Sequence, residues 1–315
     1  MTTAVTGATG QLGGLVIDEL LARGIAAPDV VAIVRDESKA SNLVSQGVSV
    51  RVADYDDPAS LVDALAGVDK LLLVSGSAVG QRVAQHTNVI EAAEANSVEL
   101  IAYTSLLHAD TSGLGLAPEH VATEARLNES SVPAVILRNG WYWENYLAAI
   151  PQAASTGTLL GAAGEGRLAA AARADYAAAA AAVLTADTDQ VGKVYELGGD
   201  ERLTYGEFAQ AIGEVSGSSV EYRDLSEADY QAALVSAGLP EPVAAMLAGA
   251  DAGISRGELD TTSGDLRSLI GRSSTPRRGG HRAGARLTRR RTIGVRRAPR
   301  RVASMSLAAT PSLST

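Results

Sequence analysis

Over the first 140 positions, short β-branched and aliphatic runs alternate with stretches whose apolar residues recur every three or four positions. Strand period and helix period alternate in this way when parallel strands are joined by crossover helices. Residues 2–6 predict a strand that ends in Gly7, and Gln11 to Arg23 predicts a helix stopped by Gly24. Further strands are predicted over 30–34, 48–52, 70–74, 99–104 and 134–139, with helices near 58–66, 80–96 and 118–131 in the gaps. Six strands in this rhythm imply an α/β fold, a doubly wound parallel sheet of the Rossmann type.

After Asn139 the rhythm changes. Gly- and Ala-rich segments over 155–173 separate an aromatic cluster from a helix predicted from Ala174 to Thr185, and residues 194–199 can return to the sheet. Thr204 then caps a helix over 205–215, and Ser226 opens another with Glu227 and Asp229 in its first turn. The expected division is a dinucleotide-binding domain over 1–139, with 174–200 returning to it, and a smaller, mainly helical substrate lobe from 140–173 and 201–271. Beyond Gly271 the pattern stops. Residues 272–315 carry 12 arginines and no acid, so this segment is expected to be a disordered basic tail. Its abrupt change of composition reads as a shift of reading frame, with a genuine basic arm as the alternative.

Composition narrows the chemistry. The chain lacks cysteine, which excludes disulfides, thiolate metal sites and a cysteine nucleophile. Residues 1–271 hold 15 of the 27 basic side chains and all 36 acidic ones, a net of −21 that argues against nucleic acid and membrane partners. The longest apolar stretch, around Leu168 to Leu184, is mostly alanine and is broken by Arg173 and Asp175, so it predicts a helix and not a membrane span. A cytoplasmic location is expected.

The clearest chemical signal is Gly7-Ala8-Thr9-Gly10-Gln11-Leu12-Gly13, placed between a strand and a helix. Gly7 and Gly10 allow a tight turn and close approach of the backbone to a pyrophosphate, while Gly13 lets the helix sit against the strand. The helix N-terminus then offers free N–H groups to the anion. At the end of the second strand, where an NAD enzyme places a carboxylate for the ribose diol, this chain has Arg35. A guanidinium there suits the 2′-phosphate of NADPH, with Lys39 one turn on. Asp36 complicates the reading, because pointed inward it would favour NAD.

No tyrosine stands four residues before any of the three lysines, at 39, 70 and 193, so the Tyr-x-x-x-Lys proton relay of alcohol and ketone reductases is missing. His120 and Glu124 share one helical face, which solvent exposure accounts for. The histidines at 86, 108, 120 and 281 form no metal-ligand spacing, and no G-x-S-x-G elbow exists. Residues 141–146, WYWENY, hold both tryptophans and two of the nine tyrosines. They follow the sixth strand, on the edge where doubly wound sheets bind ligands, and could either stack a flat substrate or anchor the second lobe. Asn139 or Asn145 would supply a hydrogen bond to such a substrate, with Asn145 the stronger candidate for positioning it.

GATGQLG, VVAIVRD, KLLLVSGSAVGQR, AYTSLLHADTS and LRNGWYWENY together closely resemble the NmrA-like NAD(P)H:quinone oxidoreductases, atypical short-chain dehydrogenases. The resemblance extends through RADYAAAA (173–180) and LSEADYQAALVSAGLP (225–240) to about Gly271. It implies NADPH along the glycine loop, with Arg35 at the adenosine phosphate. Ser75 and Gly76, and Asn139, Gly140, Trp141 and Tyr142, would line the cofactor. It also implies reduction of a small-molecule quinone without a tyrosine–lysine relay, in a pocket near Asn145. Two alternatives stay open. One is a dinucleotide sensor without turnover, since relatives of that kind share the fold; the other is a reductase of activated carbon–carbon double bonds.

Overall fold

The computed structural model describes residues 1–276. In chain order its elements are β1 Thr3–Val5, α1 Gln11–Ala22, β2 Val30–Val34, α2 Ser41–Ser45, β3 Ser49–Val52, α3 Pro58–Ala64, β4 Lys70–Leu73, α4 Arg82–Ala95, β5 Leu100–Leu106, α5 Ala117–Asn128 and β6 Ala134–Asn139. They continue with α6 Ala149–Thr156, β7 Thr158–Gly161, α7 Arg173–Leu184, β8 Val194–Leu197, α8 Tyr205–Ser216, β9 Glu221–Asp224, α9 Glu227–Ser236, α10 Glu241–Ser255 and α11 Asp265–Ile270.

Seven strands form one parallel sheet in the order β3-β2-β1-β4-β5-β6-β8. Strands β1, β2 and β5 are buried on both faces, which is why they read as continuous aliphatic runs. One apolar cluster lies under α1 and α7, and a second under α3 and α4 on the opposite face. Alanine dominates α7, where nine of twelve residues are buried, and these small side chains let the helix press closely against α1. Among the described residues no helix is long and apolar enough to cross a membrane.

The sheet order reverses between β1 and β4, so the chain leaves these two neighbours in opposite directions and opens a crevice at their carboxyl ends. Above that edge, a third apolar cluster joins α8, β7, α10 and the aromatic segment.

Two expectations need correction. The Gly- and Ala-rich segment after residue 155 is not only a connector: Thr158–Gly161 forms a strand that pairs in parallel with Glu221–Asp224. Four-residue strands whose partners lie some sixty positions apart leave too little periodicity to detect. The body also extends past Gly271. Ser274 is buried and exchanges hydrogen bonds with Asp200, while the Thr275 N–H and hydroxyl both donate to the Asp175 carboxylate, at 2.7 and 2.9 Å. Asp175 is fully buried and also receives Arg272, so residues 272–276 satisfy a charge that the body cannot leave unpaired. The rest of the expected tail, 277–315, lies outside the described residues.

Candidate functional site

The glycine loop sits on the β1 side of the crevice. Gly7 has φ +58°, the left-handed region open to glycine, and its carbonyl accepts from the Gly10 N–H at 2.8 Å. A Cβ on Gly10 would lie 2.9 Å from that carbonyl oxygen, and one on Gly13 would lie 2.4 Å from it, so neither position admits a side chain without moving the turn. No side chain caps α1 and no acid stands in its first turn. Its leading N–H groups therefore face the crevice free to receive an anion.

At the end of β2, Arg35 is exposed and makes no ion pair among the described residues. Asp36 is spoken for. Its carboxylate accepts from the Ser38 N–H at 3.0 Å and from the Ser38 hydroxyl, and it pairs with Lys39 at 3.5 Å. Those bonds hold its carboxyl below the usual carboxylate range. The acid thus caps the turn after β2, and Lys39 is tied to it.

Past β4 the chain has left the ladder, and its backbone groups turn to side chains from other elements. Val74 N–H donates to Thr6 Oγ1 at 2.9 Å, the Tyr55 hydroxyl donates to the Val74 carbonyl at 3.0 Å, and Ser75 N–H donates to Thr104 Oγ1 at 2.9 Å. Across the crevice, β6 ends in Asn139. That side chain is buried, yet its Oδ1 has no hydrogen-bond partner, alone among buried side-chain polar atoms of the described residues. An orphaned acceptor at the carboxyl edge is what a ligand amide or hydroxyl would satisfy. At the next residue a Cβ would lie 2.9 Å from the Leu197 carbonyl, which explains Gly140.

The glycine loop, Ser75, Gly76 and the Asn139–Tyr142 segment are thus brought to one sheet edge around the switch point. The profile of the NmrA-like family matches residues 1–255. The chain belongs to the NmrA-like family. It is 54% identical over 272 residues to quinone oxidoreductase 2 of Escherichia coli K12, covering 86% of this chain and 94% of that protein. Among solved structures it resembles the Escherichia coli NADPH-dependent quinone oxidoreductase complexed with NADPH, with TM-score 0.86, 52% identity, and coverage of 91% of this chain and 100% of the other. It also resembles the Citrobacter sp. triphenylmethane reductase complexed with NADP(H), with TM-score 0.86, 40% identity, and coverage of 90% and 100%.

In this NmrA-like chain the aromatic segment is divided between two tasks. Trp143 and Tyr146 are buried and pack on Phe208 and Tyr205 in the lobe core. Trp141 and Tyr142 are half-buried, and Asn145 is exposed at the end of the short 3₁₀ turn Trp143–Tyr146. Tyr142 stands edge-on to Tyr176, and the Arg173 guanidinium lies 4.6 Å from its ring centre. Arg173 also donates to Gln11 Oε1, which ties the start of α7 to the glycine loop. Sequence reasoning missed this link; its one signal was a charged RAD at the head of an alanine run.

His120 and Glu124 do not lie on a solvated face. Both are buried. Glu124 accepts two hydrogen bonds from the Arg138 guanidinium, at 3.0 and 2.7 Å, and one from the Ser105 hydroxyl. Arg138 continues to Glu196 and Asp110 at 2.8 and 2.9 Å. His120 Nδ1 lies 2.7 Å from the Tyr103 hydroxyl, and burial next to Arg82 pushes its pKa down to about 3. A histidine in that state is neutral at physiological pH and holds no acidic proton to deliver. Among the described residues no group of side chains is placed to hold a metal ion.

Proposed function

We propose that this chain is a cytoplasmic NADPH-dependent quinone reductase. The observation that carries the reading is its near-full-length match to quinone oxidoreductase 2 of Escherichia coli, at 54% identity over 94% of that protein. The crevice fits the cofactor: a glycine turn that a Cβ would fill, an uncapped helix and a buried acceptor without a partner. Gly7, Ala8, Thr9, Gly10, Gln11, Leu12 and Gly13 would hold the pyrophosphate, and Arg35 the 2′-phosphate. Ser75, Gly76, Asn139, Gly140, Trp141 and Tyr142 would line the nicotinamide half. Bound there, the reduced nicotinamide would supply a hydride to the quinone.

The protein's part is mainly binding and orientation, which can contribute several kcal/mol. Asn145 would donate to one quinone carbonyl and steady the charge that develops on it. No protein acid is required, because the product is the anion of a hydroquinone with phenol-like acidity, pKa ~10, and water can protonate it. That fits a site without the tyrosine–lysine relay and with a neutral, buried His120. The substrate is a small molecule; the acidic body, net −21 over residues 1–271, disfavours nucleic acid.

Steady-state NADPH oxidation against a panel of benzoquinones and enones tests this reading. Turnover with quinones well above that with enones is expected; the reverse order would replace the quinone with an activated carbon–carbon double bond. Asn145→Ala is expected to lower quinone turnover about ten- to a hundredfold, the scale of one lost donor to developing charge. An unchanged rate would remove Asn145 from the site.

A further inference from the structure

Gly76 is held at both of its backbone polar groups by α4. Its N–H donates to His86 Nε2 at 3.0 Å, and its carbonyl accepts from Arg82 Nε at 2.9 Å. Both side chains are buried, His86 completely. Arg82 is fixed in turn by Glu119 at 2.7 Å, whose other carboxylate oxygen accepts from the Gly80 N–H at 2.7 Å. The loop between β4 and α4 is therefore clamped at two points by one arginine–glutamate pair, and at its first turn by one imidazole.

The state of that imidazole follows from its partners. A backbone N–H can only donate, so His86 Nε2 must be an acceptor and the ring proton must sit on Nδ1. The other side agrees. His86 Nδ1 lies 2.9 Å from Thr123 Oγ1, whose own proton goes to the Glu119 carbonyl at 2.9 Å, which leaves Thr123 to accept from Nδ1–H. A proton added at Nε2 would face the Gly76 N–H and end the contact. Burial, Arg82 and His120 oppose that proton and push the His86 pKa down to about 3.

We propose that His86, as the neutral Nδ1–H tautomer, is a positioning residue that sets the cofactor-lining loop through Gly76 and so governs NADPH affinity without touching substrate. The inference rests on the reading of Ser75 and Gly76 as cofactor-lining. With His86 in place, the loop's Gly76 N–H is spent on the protein, and the loop presents its remaining edge to the crevice in one conformation. Without it, a half-buried amide loses its acceptor and the segment must rearrange to find another.

The test uses the full chain with His86→Leu, His86→Gln and Thr123→Val, and Gly10→Val as the control for the cofactor site. His86→Leu should raise the Kd and KM for NADPH about tenfold, while the KM for benzoquinone stays within about twofold. His86→Gln should recover most of the affinity, because its Oε1 can accept from Gly76. Thr123→Val, which removes only the outer partner, should raise the NADPH Kd a few-fold and serves if His86→Leu does not fold. Nitrogen-15 spectra of the wild-type imidazole should show the proton on Nδ1, unchanged from about pH 7 to about pH 5. A folded His86→Leu or Thr123→Val with unchanged NADPH Kd, or a proton on Nε2, overturns the inference. If Gly10→Val loses NADPH while His86→Leu keeps it, the inference alone fails; if Gly10→Val still binds NADPH, the cofactor reading fails with it.

Discussion

Toward the carboxyl ends of β4 to β6, the buried polar network includes the neutral histidines of α4 and α5, backbone amides and the Arg138 ion pairs. In the lobe, between β7, α8 and α10, they are tyrosine hydroxyls gathered on one carboxylate. There Asp251 accepts from the Tyr205 hydroxyl at 2.6 Å and from the Ala162 N–H at 3.1 Å, and Tyr146 meets Tyr205 at 2.9 Å. Gly161 makes the approach possible, since a Cβ there would lie 2.7 Å from the Tyr205 ring and 2.8 Å from Asp251. Burial disfavours the charged form in both regions, but the consequence has opposite sign. It pushes His86 and His120 down to about 3 and Asp251 up to about 6. The sheet edge keeps its hydrogen bonds while its histidines stay neutral, over a wide range of pH. The lobe's carboxylate is easier to keep once it has gained a proton.

Breaking the sheet-side network should have the largest effect on stability. Glu124→Ala strands the buried Arg138 guanidinium, and breaking such a pair typically costs about 3–5 kcal/mol. With Glu196 and Asp110 still in place, the lower end is expected. Urea unfolding checks it, and quinone turnover of the folded protein should remain near wild type if Glu124 serves only to hold Arg138 and Ser105.

The pH dependence of unfolding separates the two regions. Each buried histidine has a folded pKa below its unfolded value of about 6.5, so its contribution is present above that value and is lost as pH falls toward about 3. Asp251 has a folded pKa above the ordinary 3.8, so its contribution is present below that value and is lost as pH rises through about 6. The shift corresponds to about 3 kcal/mol in total. Asp251→Asn should therefore steepen the rise of stability with pH between about 4 and 6 by about 1.4 kcal/mol per unit relative to wild type. Parallel curves for the two proteins would show that Asp251 titrates normally.

A third change sharpens the contrast from outside both networks. Arg35 is exposed, so Arg35→Ala should leave both unfolding curves alone while weakening NADPH by about 1.5–3 kcal/mol and NADH hardly at all. Equal losses for the two cofactors, measured by titration, would detach Arg35 from the 2′-phosphate.

The same contrast explains what was legible in the sequence. Strands buried on both faces and the glycine turn announce themselves locally, because Gly7, Gly10 and Gly13 satisfy constraints set within seven residues. His120 and Glu124 were correctly placed on one helical face, but whether that face points inward depends on Tyr103, Ser105 and Arg138, which lie on other elements. Asp36 had two plausible directions until Ser38 claimed its carboxylate. The β7–β9 pairing and the docking of Thr275 on Asp175 join segments sixty and a hundred residues apart, beyond any local pattern. The glycine turn could be read in advance, whereas the clamp on Gly76 required the fold to bring α4 and α5 against the loop after β4.

A single-turnover experiment separates quinone reduction from dinucleotide sensing. Protein loaded with one equivalent of NADPH is mixed with excess benzoquinone in the absence of oxygen, and the reduced nicotinamide and the hydroquinone are followed together. Loss of the reduced nicotinamide matched mole for mole by hydroquinone is expected, far faster than in the same mixture without protein. Tightly bound NADPH that persists in the presence of quinone would contradict it and would mark the chain as a dinucleotide sensor instead.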